Sequence, residues 1–317
     1  MRRLVDNPKV EFNELDMHSA FAIPAALSRL IAIVRAEQPR AMLCWMYHAM
    51  AAGAIAGRLT ATPFYWTVRQ ALEDPAAFTR GTRMALSACR LMARSPAGII
   101  YNSARSKTQH ERCGYANSNS VVIPNGFELP SRARQMSAGP ARIFGIAGRF
   151  HPQKDYPVFF KAAALATRER PELRFHVAGK GMTPDNPEVR GLMAAAGVGA
   201  DRVELMGQLD DMARFYREID VLVLSSRTEG FPNVVAEAMS YGKPVVATDV
   251  GDAADIVGET GVVCAPGDAT ALAKGIVDFA NASPRTYRGK AEAARRRIEE
   301  NYSLPRIFDA YHRFLDA

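Results

Sequence analysis

Residues 220–258, DVLVLSSRTEGFPNVVAEAMSYGKPVVATDVGDAADIVG, decide the fold. The run VLVLS at 221–225 is apolar, short and rich in β-branched residues, as a strand buried on both faces should be. A polar turn-rich segment, Ser225 to Asn233, follows it. Then comes a helical stretch at 233–239, and PVVA at 244–247 repeats the strand signal. Strand, helix and strand in so few residues argue a parallel sheet covered by helices.

Working outward, the alternation continues. Upstream, RIFGI at 142–146 reads as a strand and 157–170 as a helix with Phe160, Ala163, Ala164 and Ala166 on its apolar face. LRFHVA at 173–178 is a strand ending at Gly179. Residues 187–196 read as a helix, 203–206 as a strand and 212–218 as a helix. The N-terminal half alternates less cleanly, with helices expected at 27–37, 49–59 and 80–93. Strands are expected there at 41–45, 64–68, 98–101 and 121–123. Between the halves, residues 130–140 are polar and turn-rich, which places a domain boundary there. The organisation is thus an N-terminal α/β domain over 1–138, a second over 139–303 and a last helix over 304–317.

The 317 residues suit two domains, and the 48% hydrophobic content suits buried cores. No apolar run is long enough to span a bilayer, and Asp6, Asn7, Pro8 and Lys9 occupy the place of a secretory apolar core. A cytoplasmic location is the expectation. Cys44, Cys89, Cys113 and Cys264 are far apart and read as buried and reduced, in keeping with that address. His110 and Cys113 lie three apart, but nothing nearby completes a metal set.

Charge is unevenly spread. Residues 1–139 hold 17 Lys and Arg against 9 Asp and Glu, whereas 140–317 hold 23 against 24, so the net +7 arises in the first half. An anionic partner, such as the inner face of the cell membrane or a lipid phosphate, is one reading. Dispersed arginines on a solvated face are the other. Nucleic acid fits neither, since there is no basic run and no recognition motif.

In a parallel sheet ligands bind beyond the carboxyl ends of the strands. Gly148 and Arg149 follow the 142–146 strand, with Lys154 five residues on, and two cations ahead of a helix can hold a phosphate. Gly179-Lys180-Gly181 follows the next strand and lets backbone approach a ligand. After VLVLS stand Glu229, Gly230, Phe231, Pro232, Asn233 and Val234, with Pro232 suited to a helix start that favours an anion. Glu229 on the loop and Glu237 on the helix can face one cleft and accept hydrogen bonds from sugar or ribose hydroxyls.

Residues 220–258 and GRFHPQKDYPVFFKAAA at 148–164 resemble the C-terminal domain signature of glycosyltransferase family 4 (group 1). The resemblance implies the GT-B fold, two facing Rossmann-like domains with a nucleotide-diphospho-sugar between them. It implies transfer with retention and no metal or other cofactor. By the same resemblance Arg149 and Lys154 bind the donor diphosphate, Glu229 contacts the donor sugar and Glu237 binds the ribose hydroxyls. Backbone amides of Phe231, Pro232, Asn233 and Val234 contact sugar and phosphate. In the first half, Cys44-Trp45-Met46-Tyr47-His48-Ala49 and Trp66-Thr67-Val68-Arg69-Gln70 resemble a subgroup that builds surface polysaccharides. There His48 matches a histidine that reaches the transferred sugar; the alternative is a satisfied core histidine. Ile123-Pro124-Asn125-Gly126 resembles the turn closing the acceptor domain. The last helix, at 307–315, resembles one that crosses back onto the first domain.

The chain departs from the family at its start. MRRLVDNPKVEF resembles a position well inside the first domain, so the expectation is a first sheet lacking its opening strand and glycine-rich turn. The implied activity is transfer to a saccharide or lipid-linked saccharide acceptor. Arg149, Lys154 and the helix start would stabilise the departing diphosphate, and His48 and Glu229 would lie at the transferred sugar. The rival is an impaired fragment or a partner subunit that holds nucleotide-sugar without turnover.

Overall fold

The computed structural model describes residues 10–16, 20–72, 78–130 and 140–316. The expected boundary at 130–140 falls mostly on residues outside these, as does the opening at 1–9. Two compact units emerge. One holds the described residues up to 68, with 78–101 and 110–121; the other holds 69–72, 102–109, 122–130 and 140–316.

The smaller unit is built on strands β1 (Met42–Trp45), β2 (Phe64–Val68), β3 (Gly98–Tyr101) and β4 (Ser120–Val122), in that spatial order. β1 pairs with β2 and β2 with β3 in parallel. Helix α1 (Ile23–Glu37) precedes β1, whereas α2 (Met46–Thr60), α3 (Arg80–Met92) and α4 (Ala104–Arg112) follow β1, β2 and β3 and connect each to the next strand. α2 begins three residues earlier than expected, because β1 runs straight into it through Met46, whose φ of 66° bends the chain at once. α4 is polar along its length, which hid it from a reading based on apolar periodicity.

The larger unit carries β5 (Ile143–Ala147), α5 (Tyr156–Glu169), β6 (Arg174–Ala178), α6 (Pro187–Ala196) and β7 (Val203–Gly207). There follow α7 (Met212–Glu218), β8 (Val221–Leu224), α8 (Asn233–Ser240), β9 (Val245–Thr248), α9 (Ala253–Val257) and β10 (Val262–Cys264). α10 (Ala269–Asn281), α11 (Pro284–Tyr302) and α12 (Leu304–Asp316) close the chain. The six strands are parallel in the order β10-β9-β8-β5-β6-β7. This is the doubly wound order, and its topological switch point lies between β5 and β8.

Strand alternation divides the core. Phe144, Ile146, Val221 and Val223 pack on one face of the sheet with α5, α6 and α10. Ala147, Leu222 and Leu224 pack on the other with α7, α8, α9 and α11. At Gly145 a Cβ would stand 2.5 Å from Ile219 and 2.7 Å from Phe215, so only glycine lets α7 seat on the sheet. Residues 253–302 carry no element expected from the sequence. There β10 and three helices add the sixth strand and most of the cover on one edge.

One expectation is corrected. Cys44 and Cys89 are buried, but Cys113 is exposed and Cys264 half-buried, and all four are free. Burial pushes the Cys44 and Cys89 thiols up to about 11 and about 12, so neither is a thiolate near neutral pH. Cys113 falls just past α4, at a turn that ends in Gly114, and so escapes the core.

Candidate functional site

The loops after β5 and β8 meet at the switch point. Arg227 N donates to Gln153 O at 2.8 Å, Gln153 Nε2 to Thr228 O at 2.7 Å and Ser225 Oγ to Lys154 O at 2.7 Å. Asp155, 1% exposed, receives the Arg227 guanidinium through Nε at 2.8 Å and Nη2 at 3.3 Å. These bonds place Lys154 against Glu229, Nζ to Oε1 at 2.6 Å, with side chains only 17% and 11% exposed. Ser226 Oγ donates to the same oxygen at 2.7 Å.

Lys154 and Glu229, expected to act on different parts of one ligand, are therefore partners of each other here. A shielded pair of this kind is charged and local, and an incoming anion would share the lysine with the carboxylate. Gly148 lies under the lysine stem, since a Cβ there would stand 3.0 Å from Lys154 Cε. Arg149 is exposed, and among the described residues its side chain has no partner.

Gly179 backs this loop. Gly148 N donates to Ala178 O at 2.8 Å and Gly179 N to Gly207 O at 2.7 Å. On the other side, Thr248 Oγ1 donates to Ser226 O at 2.7 Å, and Asp252 N donates to Gly230 O at 3.1 Å. Gly251 permits that approach: its φ is 54°, and a Cβ would stand 2.2 Å from Gly230 O. Asp252 also accepts from the backbone N–H of Ala104 at 2.9 Å and of Arg105 at 3.3 Å, capping α4. Burial raises its carboxyl above the usual range, and those N–H groups oppose the rise. Four strand ends thus form one connected rim.

α8 starts on this rim. Phe231 and Pro232 are buried, and no side chain caps the helix, in contrast with α6, α7, α10 and α11, capped by Asn186, Asp211, Asp268 and Ser283. Its amides and dipole are open to an anion. Val234 is half-buried in the first turn, next to the exposed Asn233. One turn further, Glu237 Oε2 accepts from Tyr216 Oη at 2.5 Å. Burial, and then the Glu237 carboxylate, push the Tyr216 phenol well up, so it stays a donor at neutral pH. The Tyr216 contact was not foreseen, since α7 reaches α8 only through the packing of the sheet.

His48 belongs to the smaller unit. It is exposed in the first turn of α2, just past Met46, so it is not a core histidine. The buried histidine of that unit is His110, whose Nε2 lies 2.8 Å from Tyr47 Oη. No group of three or more metal-ligating side chains occurs among the described residues.

The comparisons with known proteins agree with this architecture. Residues 5–126 match the family model of a glycosyl transferase 4-like domain, and residues 141–282 match that of glycosyl transferases group 1. The lipopolysaccharide core biosynthesis mannosyltransferase LpsB of Rhizobium meliloti is 32% identical over 185 residues, 56% of this chain and 52% of LpsB. A glycogen synthase of Mycobacterium tuberculosis is 29% identical over 195 residues, 60% of this chain and 46% of the synthase. The chain spans about half the length of these curated relatives. Among solved structures, Anabaena Alr3699/HepE in complex with UDP superposes with a TM-score of 0.78 at 22% identity, covering 92% of this chain and 82% of that one. Sucrose-phosphate synthase from Thermosynechococcus elongatus gives 0.78 at 22%, covering 98% and 81%. Both likenesses show the GT-B fold. The chain thus joins a glycosyl transferase 4-like domain to a glycosyl transferases group 1 domain.

Proposed function

We propose that this chain transfers a sugar, with retention, from a nucleotide-diphospho-sugar to a saccharide acceptor carried on a lipid, in the assembly of a surface polysaccharide. The observation that carries the reading is the Lys154–Glu229 pair at the switch point, beside Arg149 and the uncapped start of α8. Arg149, Lys154 and the α8 amides stabilise the departing diphosphate, where charge develops. Glu229 stays a carboxylate that accepts from the donor sugar, and the acceptor hydroxyl attacks from the face the diphosphate vacates. The exposed ring of His48 is available to the transferred sugar. The proposal needs no metal, because the two cations and the helix start supply the positive charge. The relation to a lipopolysaccharide core mannosyltransferase favours a surface polysaccharide as product.

Glu237 is proposed to hold the ribose. Its Oε1 has no protein partner among the described residues while Tyr216 fixes Oε2, so one oxygen is set aside for a hydroxyl. Glu237→Gln keeps the size and removes the charge. Titration calorimetry with ribo- and 2′-deoxyribonucleoside diphosphates should show their affinity ratio shrinking by roughly fivefold to tenfold, the weight of one charge-assisted bond. An unchanged ratio removes Glu237 from the ribose.

The lipid-linked acceptor implies a cytoplasmic enzyme held at the inner face of the membrane. No helix among the described residues is long and apolar enough to cross one. α3 instead supplies a surface for acidic lipid. Its outer face carries Arg80, Arg83 and Arg90 beside Met84, 73% exposed, and Leu91, 87% exposed, with Arg94 just beyond. Residues 78–110 contain no acid, and none of these four arginine side chains has a partner among the described residues. Guanidiniums interleaved with exposed apolar groups match an anionic headgroup layer over acyl chains. The test of the whole reading assays nucleoside diphosphate release with vesicles of acidic phospholipid bearing a lipid-linked saccharide. Wild type should sediment with the vesicles and release diphosphate, and a Met84→Asp, Leu91→Asp variant should lose both. Diphosphate binding without release would favour the partner-subunit reading.

A further inference from the structure

Asn125 stands between two residues of different character. Arg69 Nη1 donates to its Oδ1 at 2.7 Å, and its Nδ2 donates to Asn233 Oδ1 at 2.6 Å. Arg69 Nη2 in turn donates to Tyr311 Oη on α12, and the guanidinium lies 5.9 Å from the Tyr311 ring centroid. The segment around Asn125 is held firmly. Phe127 N donates to Tyr302 O at 2.8 Å and Leu304 N to Phe127 O at 3.0 Å. The Phe127 ring stacks on Phe231 at 6.0 Å and 18°. At Gly126 a Cβ would stand 3.0 Å from Leu304 and 3.1 Å from Ile307, so the turn lies flat on the start of α12.

The hydrogen-bond chemistry of this chain has a direction. A guanidinium only donates, so Arg69 must face the amide oxygen of Asn125. The Asn125 NH2 then points at Asn233, and it too can only donate. Asn233 must therefore answer with its oxygen, which leaves its own NH2 turned away. That NH2 has no partner among the described residues, and the side chain is exposed at the first residue of α8. With the amide reversed, the same position would offer an oxygen to an anion and repel it.

We propose that Arg69 and Asn125 are positioning residues that set the polarity of the Asn233 amide, so that Asn233 presents two N–H donors to the diphosphate of the nucleotide-sugar. The proposal rests on the donor-site reading above and adds a side-chain contact to it. α12 takes part through Tyr311, which anchors the guanidinium at the far end of the relay.

Asn125→Asp tests it with almost no change of shape. The introduced carboxylate still accepts from Arg69, but its second oxygen also accepts only, so the Asn233 amide turns to donate and directs its oxygen outward. By titration calorimetry, affinity for a nucleoside diphosphate should fall roughly tenfold, while affinity for the free nucleoside stays unchanged. Nucleoside binding also reports that the variant is folded. The added negative charge is separated from the relay by repeating the substitution in an Asn233→Ala background. The relay expects no further loss there, because no amide remains to be turned. Equal losses in both backgrounds, or no loss in the wild-type background, overturn the relay alone. A wild-type chain that binds no nucleoside diphosphate overturns the donor-site reading and the relay with it.

Discussion

An Arg149→Ala, Lys154→Ala double variant should lose nucleoside diphosphate affinity by about two orders of magnitude, roughly 3 kcal/mol. Two effects act in the same direction. Two charge-assisted contacts to the phosphates disappear, and the Glu229 carboxylate, 11% exposed, loses its lysine. What then faces the incoming diphosphate is an unpaired carboxylate held only by Ser226 Oγ at 2.7 Å. For the same reason Lys154→Ala alone should weaken binding more than Arg149→Ala alone. Arg149 is exposed and leaves nothing unpaired behind it, whereas Lys154 leaves a shielded anion. Calorimetry on the four proteins measures this directly. Equal affinity in wild type and double variant would remove both cations from the diphosphate.

Gly179→Ala should destabilise the larger unit by about 3–5 kcal/mol, which for a unit of this size lowers Tm by on the order of 10 °C. The cause is local geometry. Gly179 has a φ of 146°, and a Cβ there would stand 1.8 Å from Gly148 O and 2.4 Å from Gly148 C. Both neighbours are backbone, so no rotamer change relieves the clash. Gly148 O is also the acceptor for Tyr156 Oη at 2.6 Å, so moving it disturbs the start of α5. Because the displaced loop leads into Arg149 and Lys154, diphosphate affinity should fall along with stability. Gly197→Ala is the control: its φ is also positive, at 71°, but a Cβ there would meet nothing within 4 Å. It should cost about 1 kcal/mol of conformational strain and leave binding intact. Equal melting shifts in the two variants would mean that the close approach of Gly179 to Gly148 carries no weight.

Gly148, Arg149, Lys154, Gly179, Glu229, Gly230 and Glu237 are legible in the sequence as residues at strand ends, whereas Asp155 and Asp252, which tie the rim together, carry no such signal. Short apolar strands of four or five residues, each followed by polar and glycine positions, can only be satisfied by a parallel sheet with both faces covered. Ligand chemistry then collects at the strand ends. That logic placed Arg149, Lys154, Gly179, Glu229 and Glu237 on the correct loops and helix, because burial period and turn chemistry are local properties. It failed at α4, where a polar helix leaves no apolar stripe, and at Cys113, where a turn residue was read as core.

What the sequence by itself determined is the order of the elements and the kind of group standing at each strand end. Only the tertiary structure decided which groups touch. Lys154 and Glu229 are 75 residues apart in the chain, as the span of their bond records, Tyr216 and Glu237 are 21 apart, and Arg69 reaches Tyr311 across 242. No periodicity encodes such pairs, since they follow from the strand order β7-β6-β5-β8-β9-β10 and from where α12 returns. The same holds for the polarity of the Asn233 amide. Its composition says that it can donate or accept, and which it does is settled by a guanidinium two bonds away that has no acceptor to offer.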